Sequence, residues 1–327
     1  MKYIKTVFVF IVSIAFFSCT EDNIVTAEDN FLNYDIPNVP VTENYIVGAQ
    51  YSRFIRRSTV PEEPTIGVYN ANVSDPAVYE EHVKQAQTAG IDFFIHQFRS
   101  ANNQNQNNQD VDFINSLQSA PNSTDVNFAL SYNFGNMGLN NNNRIESKGL
   151  VQRFIDDFKL MTPFFNQTNY MKVDGKNVVY LLNSHNLHSD DNAALYQQMR
   201  AELSDLGVEL YLIGMQIEWT PTLRYDFRFV NGVDAVTHKT YALVNVNLYD
   251  RIINFHKFMD QAWLYHKETF EKYNIEYIPT ISPSINLKIT NGGSNTHVYD
   301  KDESWFRANC NVARRAAGTN RIILVDS

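Results

Sequence analysis

Cysteine is nearly absent from this chain. Its 327 residues include two cysteines, Cys19 and Cys310, which are too few for a disulfide scaffold or a zinc site built from several thiolates. Positive charge is also scarce, because 27 Lys and Arg stand against 36 Asp and Glu and the formal net charge is -9. Nucleic-acid binding depends on positively charged surfaces, so this balance argues against a nucleic-acid partner.

Motifs for several common chemistries are missing as well. No Gly-x-Gly-x-x-Gly follows a predicted strand, which disfavours a dinucleotide site, and no Gly-x-Ser-x-Gly elbow occurs. His185 and His188 lie three residues apart with Asp190 and Asp191 close behind. A metal site needs three or four ligands in fixed geometry, and a histidine pair on a polar loop is more typical of a solvated loop. We therefore expect neither a metal nor an organic cofactor.

The first residues have the layout of an export signal. Lys2 and Lys5 precede an apolar run at 7–17, which is too short for a membrane span of about 20 residues. Ser18 and Cys19 follow, and a small residue before cysteine at this place predicts a lipoprotein signal over residues 1–19, with Cys19 lipidated. An uncleaved anchor and a plain signal peptide are the alternatives.

Residues 20–44 are polar and acidic and contain two prolines, so they are predicted to form a flexible tether. The acidic residues directly after Cys19 resemble the surface-export signal of Bacteroidetes-type lipoproteins. This resemblance implies a lipid anchor in the cell envelope, on the exposed side of the outer membrane.

The rest of the chain alternates strand and helix patterns. Runs rich in β-branched and aromatic residues predict eight strands, at 45–54, 91–98, 126–134, 177–183, 209–216, 233–241, 276–282 and 321–326. Amphipathic patterns between them predict helices at 75–89, 110–119, 149–161, 190–206, 250–273 and 302–317. This order favours an α/β fold of the (β/α)8 TIM-barrel type over residues 45–327, rather than an open doubly wound sheet. The polar stretches 100–109 and 135–148 are expected to be loops.

The last predicted strand is followed by Asp326 and Ser327. The eighth strand of such a barrel is ordinarily followed by a loop and a closing helix, so we expect the C-terminal closing helix to be missing and the chain to be a fragment. The alternative is a permuted or open barrel that is complete as it stands.

Short motifs occur in a fixed order along this domain: Gly67-Val68-Tyr69, Ala89-Gly90-Ile91-Asp92-Phe93-Phe94, Val173-Asp174-Gly175-Lys176, Gly232-Val233-Asp234 and Ile322-Ile323-Leu324-Val325-Asp326-Ser327. In this order they resemble the glycoside hydrolase family 99-like proteins, including the WbsX-like proteins. The resemblance implies a (β/α)8 barrel and endo-acting, retaining hydrolysis of α-mannosides without a metal. It also implies that the catalytic carboxylates lie in an Asn-Glu-Trp segment and a following acidic residue, beyond Ser327.

Barrel active sites are built at the carboxyl ends of the strands, which form the barrel mouth. Polar and aromatic residues near these ends are our candidate sugar contacts, namely Tyr51, His96, Gln97, Tyr132, Asn133, Asn183, Glu218, Trp219, His238 and Tyr241. Carboxylates at the predicted strand ends are limited to Glu218 and Asp326, whereas glycoside hydrolysis ordinarily uses two that flank the scissile bond.

Several of these residues have a structural alternative. Glu218 is either a sugar contact or acid, or else a loop carboxylate that pairs with Arg224 or is solvated. His96 and His238 either bind sugar or are hydrogen-bonded histidines packed at the mouth. Asp92 and Asp234 each begin a strand and are expected to form hydrogen bonds at the bottom of the barrel.

The sequence favours a glycan-processing glycoside hydrolase whose partners are a polysaccharide or oligosaccharide and, through the lipid, a membrane. We expect the chain to be inactive as it stands, because the terminal acidic motif is absent. Two alternatives stay open: a non-catalytic carbohydrate-binding barrel at the cell surface, and a structural lipoprotein whose barrel mouth binds something else.

Overall fold

The computed structural model describes residues 34–42, 44–51, 75–99, 104–216, 228–239, 255–283, 285–286, 298–299 and 303–326. Eight strands lie within these ranges: β1 Ile46–Tyr51, β2 Phe93–Arg99, β3 Asn127–Asn133, β4 Lys176–Leu182, β5 Leu210–Gln216, β6 Ala235–His238, β7 in the two pieces Glu276–Tyr277 and Thr280–Ile281, and β8 Ile322–Val325. Each agrees with a predicted strand to within a few residues.

The six predicted helices also occur, as α1 Pro76–Ala89, α2 Gln104–Gln118, α3 Val151–Phe165, α4 Asn192–Ser204, α5 Phe255–Glu271 and α6 Glu303–Ala316. Shorter elements are the 3-10 turns Ser123–Asp125, Phe134–Met137 and Ser184–Asn186, a strand Lys172–Val173 antiparallel to β4, and a ribbon of Ile285–Asn286 with Val298–Tyr299. No helix of the described residues is both long and apolar enough to cross a membrane.

The eight strands close into a barrel. The sheet runs from one piece of β7 through β6, β5, β4, β3, β2, β1 and β8 to the other piece of β7, and neighbours along this path are parallel. Pro279 lies between the two pieces. It has no N–H to donate, but its carbonyl accepts from the Leu324 N–H of β8. The predicted (β/α)8 TIM barrel is confirmed.

Local signals explain why the helices begin and end where they do. The side chain of Asp75 accepts from Ala77 N at 2.9 Å and caps α1, Pro76 takes the first helical position, and Gly90 ends the helix at φ 72°. This conformation favours glycine because it has no Cβ.

The start of α2 corrects the prediction for residues 100–109, since the helix begins at Gln104. The Asn- and Gln-rich sequence suggested a loop, but tertiary contacts hold this turn. Buried Asn107 donates to Asp157 Oδ1 at 2.9 Å, and buried Asp110 accepts from the backbone and side chain of Arg99 at 2.8–3.0 Å. Buried hydrogen bonds of this kind outweigh a weak local helix propensity. Residues 135–148 contain turns and no α-helix, as predicted.

The compact domain begins before the predicted boundary at residue 45, at Pro37. Asn311 of α6 donates to the Pro37 carbonyl at 3.1 Å and accepts from Val39 N at 2.9 Å. The end of the predicted tether is therefore attached to α6. The signal region and Cys19 lie outside the described residues.

Strand side chains divide into two sets by alternation. One set fills the barrel interior and includes Phe93, Ile95, Val178, Tyr180, Ile213 and Leu324. The other packs against the helices and includes Phe94, Phe98, Leu130, Val179 and Leu212. At the bottom, Asp92 accepts from Val47 N at 2.7 Å and Asp234 accepts from Leu212 N at 2.8 Å. The expected structural role of both aspartates is confirmed.

The interior packing predicts a specific stability effect at Gly48. A Cβ on this residue would lie 2.2 Å from Cζ of Phe93. We expect Gly48→Ala to lower the free energy of unfolding by about 1–3 kcal/mol through overpacking, as measured by chemical denaturation. Adding Phe93→Leu should recover part of this loss. A Gly48→Ala protein as stable as its parent would contradict this packing.

Candidate functional site

Inward-facing polar side chains line the barrel mouth. Each is an even number of residues from an interior apolar residue of its strand and therefore lies on the same, inward face. They come from strands around the ring: Gln50, Gln97, Ser131, Asn133, Thr237, Ser282 and Asp326. Amide and hydroxyl groups in a concave site are suited to hydrogen-bonding a polar ligand such as a sugar.

Asp326 is the carboxylate that directly follows a barrel strand among the described residues. Its N–H donates to the Ile281 carbonyl at 3.0 Å, and its carbonyl accepts from Ser282 Oγ at 2.6 Å. Both bonds fix the residue beside β7. The half-buried side chain of Asp326 is therefore held at the mouth, where a carboxylate can accept hydrogen bonds from sugar hydroxyls.

Tyr180 lies inside the barrel, below the mouth. This fully buried side chain of β4 reaches across the barrel, and its hydroxyl lies 3.4 Å from Gln50 Nε2 of β1. Burial raises the pKa of Tyr180 well above its usual value, and the nearby Asp326 charge raises it further. Tyr180 therefore stays protonated and can donate a hydrogen bond in the floor of the mouth.

The structure brings together two predicted residues, Asn133 and Asn183. Asn183 Nδ2 donates to Asn133 Oδ1 at 2.9 Å, and Gly135 N donates to the same oxygen at 2.9 Å. Asn183 has a left-handed backbone with φ 56°, which asparagine tolerates better than most residues. The two amides form a paired polar surface at the ends of β3 and β4. Predicted Gln97 lies nearby, half-buried and in register with Ser131.

Tyr51 and His96 do not lie at the mouth, contrary to the sequence prediction. Tyr51 OH is 3.0 Å from His82 Nδ1 of α1, and its ring packs on Tyr79 at 5.4 Å. His96 is fully buried with Nε2 3.1 Å from Tyr79 OH, and burial lowers its pKa to about 3. Both side chains face α1 because they alternate with the inward-facing residues of their strands.

Tyr132, another predicted sugar contact, also faces the helices and not the mouth. It is fully buried between β3 and α3, and its hydroxyl donates to Asp157 Oδ2 at 2.9 Å. Asp157 also accepts from Arg153 Nε at 2.9 Å. Desolvation nevertheless raises the pKa of Asp157. This group anchors α3 on the barrel and lies away from the mouth.

His238 is also buried, and its role is structural. Its Nε2 accepts from Thr280 N at 3.1 Å, and its Nδ1 lies 2.9 Å from the Lys239 carbonyl. An amide always donates and a carbonyl always accepts, so both bonds require the neutral ring with the proton on Nδ1. The ring lies against Trp263 and Tyr277, and burial lowers its pKa to about 4. His238 thus links β6 to β7 from the outer face of the sheet, whereas the sequence left a sugar contact at the mouth open.

His185 and His188 do lie at the mouth, on the turn after β4. Burial lowers the pKa of His185, and the charges of Arg228, Lys239 and His188 lower it further. The neighbouring acids act elsewhere, because Asp190 pairs with Arg144 at 2.7 Å and Asp191 caps α4 through Ala194 N. Among the described residues, no three His, Cys, Asp or Glu side chains are placed to hold a metal.

Glu218, Trp219 and Tyr241 lie outside the described residues. The sequence placed Gln50 and Asp326 near strand ends, but neither was chosen as a sugar contact, and Tyr180 was not considered. The signal that would have found Tyr180 is its spacing of two residues from both Val178 and Leu182. Side chains two apart on a strand share one face, so Tyr180 faces inward once the inward face is known.

Similar solved structures include a protein described as glycoside hydrolase-like, with 39% sequence identity and a TM-score of 0.83 over 91% of this chain and 88% of that chain. A family 99 endo-α-mannosidase of Bacteroides thetaiotaomicron in complex with bis-tris propane has 11% identity and a TM-score of 0.61, over 87% of this chain and 83% of that chain. Another structure of a family 99 endo-α-mannosidase from that organism has 13% identity and a TM-score of 0.55, over 80% of this chain and 69% of that chain. At such identities the last two show a shared fold. The sequence matches no protein-family profile and no curated protein.

The buried imidazole of His238 predicts how stability depends on pH. Its folded pKa of about 4 lies below the usual 6.5, so the unfolded chain binds the proton first as the pH falls. The stabilisation is complete above pH 6.5 and is lost progressively toward pH 4. We expect His238 alone to lower the free energy of unfolding by about 2 kcal/mol between pH 7.5 and pH 5.

Denaturation at both pH values checks this expectation. His238→Gln should lower stability at pH 7.5 and show a smaller fall between the two values. Asn115→Ala, on the exposed side of α2, carries no titratable group and should behave like its parent. Equal falls in His238→Gln and parent would contradict the assignment.

Proposed function

This chain belongs to the glycoside hydrolase-like proteins, given its 39% identity to one of them over 91% of its length, and from that membership we propose that it processes glycans at the barrel mouth. The observation that carries this proposal is the ring of inward polar side chains around Asp326 and the Asn133–Asn183 pair. Such a surface offers acceptors and donors to the hydroxyls of a pyranose.

We propose an α-mannoside as the substrate. The support is the motif order described above and the fold shared with two family 99 endo-α-mannosidases. In this account Gln97, Asn133, Asn183 and Asp326 bind and orient the sugar, and Tyr180 donates from the floor of the mouth.

Retaining hydrolysis needs two carboxylates about 5–5.5 Å apart, one as nucleophile and one as acid and base. We propose that these groups lie in the acidic segment that follows the last strand in the family, beyond Ser327.

The second candidate is a non-catalytic carbohydrate-binding protein. The observation that favours it is that, among the described residues, Asp326 is the one carboxylate that directly follows the carboxyl end of a barrel strand. Binding would be the same as in the first candidate. The two differ in whether the protein releases reducing ends from the glycan.

Glycan binding is tested with Asn133→Ala. Loss of one amide that bonds the sugar should weaken binding to α-mannan about tenfold, since such a bond contributes roughly 1–1.5 kcal/mol. Titration calorimetry on α-mannan oligosaccharides measures this, and Asn115→Ala on the exposed side of α2 is the matched control. Asn133→Ala binding as tightly as Asn115→Ala, with both folded, would remove the pair from the site.

We also propose that the protein is a lipoprotein anchored through Cys19 at the outer surface of the cell envelope. The signal layout of residues 1–19 supports this. Metabolic labelling with a radioactive fatty acid should modify the parent and Cys310→Ala, because the thiol of Cys310 lies on α6 of the folded domain. Cys19→Ala should lose the label. Labelling that persists in Cys19→Ala would exclude this anchor.

A further inference from the structure

Asn183 has a backbone conformation that brings its side chain to the barrel mouth. Leu182, one residue earlier, packs against the barrel interior, so in a continued strand Asn183 would face the helices. Its left-handed φ of 56° ends this alternation. As a result, its amide meets the amide of Asn133, an inward-facing residue at the end of β3.

Gly135 determines which way the two amides point. A backbone N–H always donates, so the Asn133 atom that lies 2.9 Å from Gly135 N is the oxygen Oδ1. That oxygen can only accept, so Asn183 meets it, also at 2.9 Å, with its nitrogen Nδ2. The reverse placement of either amide would bring two donors or two acceptors together. The Asn183 amide therefore directs its oxygen, Oδ1, away from Asn133.

The turn after β3 is shaped to hold this amide pair. A Cβ on Gly135 would lie 3.0 Å from Asn133 Oδ1 and 3.2 Å from Asn183 Nδ2. Both distances are shorter than ordinary van der Waals contacts, so a side chain at this position would push the amides apart. Glycine allows the backbone N–H to approach them closely, and the polarity of the pair is consequently built into the fold.

Asn183 Oδ1 is an acceptor that still lacks a donor. The side chain is half-buried, and none of the residues that the structure describes donates to this oxygen. A carbonyl oxygen accepts hydrogen bonds and never donates them. A sugar hydroxyl can therefore donate to it, whereas an ether or ester oxygen would bring its own lone pairs against those of the carbonyl.

We propose that Asn183 is a specificity-determining residue that accepts a hydrogen bond from one free sugar hydroxyl. The substrate class is then a glycan that carries no branch, ester or ether at that hydroxyl. This inference rests on the proposed function. Gly135 acts as a positioning residue, because it acts through the two amides. A site that hydrogen-bonds a hydroxyl rejects an analogue that lacks it, since the polar group of the site is then left unpaired.

Analogues of one oligosaccharide test the inference. We would measure dissociation constants by titration calorimetry for an α-mannan oligosaccharide and for analogues in which each free hydroxyl in turn is replaced by hydrogen or by fluorine. Fluorine is close to a hydroxyl in size and cannot donate a hydrogen bond. We expect one position at which both replacements weaken binding about tenfold.

Asn183→Gly should bind the unmodified oligosaccharide about tenfold more weakly and lose the penalty at that position, because glycine keeps the left-handed backbone and removes the acceptor. Asn231→Gly is the matched control. Asn231 has a similar φ of 59°, in the exposed turn before β6 at the bottom of the barrel, and its variant should keep both the affinity and the penalty.

Three results would overturn this inference and leave glycan binding intact. They are a parent protein with no such position, a penalty that persists at every position in Asn183→Gly, and the same loss of the penalty in Asn231→Gly. A parent protein that binds neither the oligosaccharide nor any analogue would overturn both the inference and the proposed function.

Discussion

The neutral imidazole of His238 joins β6 to β7 where the sheet closes, and the functional surface depends on this closure. β7 is interrupted at Ile278 and Pro279, so its first piece pairs with β6 and its second with β8. His238 accepts the Thr280 N–H next to the interruption, and Thr237 Oγ1 lies 2.7 Å from Thr280 Oγ1 on the interior side. Because the ring of strands closes, polar side chains from β1, β3, β4 and β8 meet over one mouth.

The strands and helices could be predicted from the sequence because each has its own period and its own end signals. α1 illustrates this, with a capping aspartate, a proline at the first position and a glycine after the end. The start of α2 could not be predicted, because it depends on Asn107 and Asp110 bonding to residues of α3 and β2. Such contacts are long-range and leave no local pattern.

The candidate site was predicted only in part, because the sequence does not show which alternate residues of each strand face the barrel interior. We call this choice the phase of the strand. β2 is buried on both faces, so its sequence has no alternation of polar and apolar residues to show which side chains face inward. Gln97 and Asn133 have the inward phase, whereas His96 and Tyr132 have the other phase and pack under the helices. A residue at the end of a barrel strand is therefore a site candidate only once an interior neighbour, such as Ile95, fixes the phase.

The central claim is that a glycan binds at the carboxyl ends of the strands, between Asp326 and the Asn133–Asn183 pair. A crystal structure of the protein with a bound α-mannan oligosaccharide tests it most directly. The account predicts sugar hydroxyls within hydrogen-bond distance of Asp326, Gln97 and the asparagine pair. A sugar bound on the outer helices or at the bottom of the barrel, with the mouth empty, would contradict it.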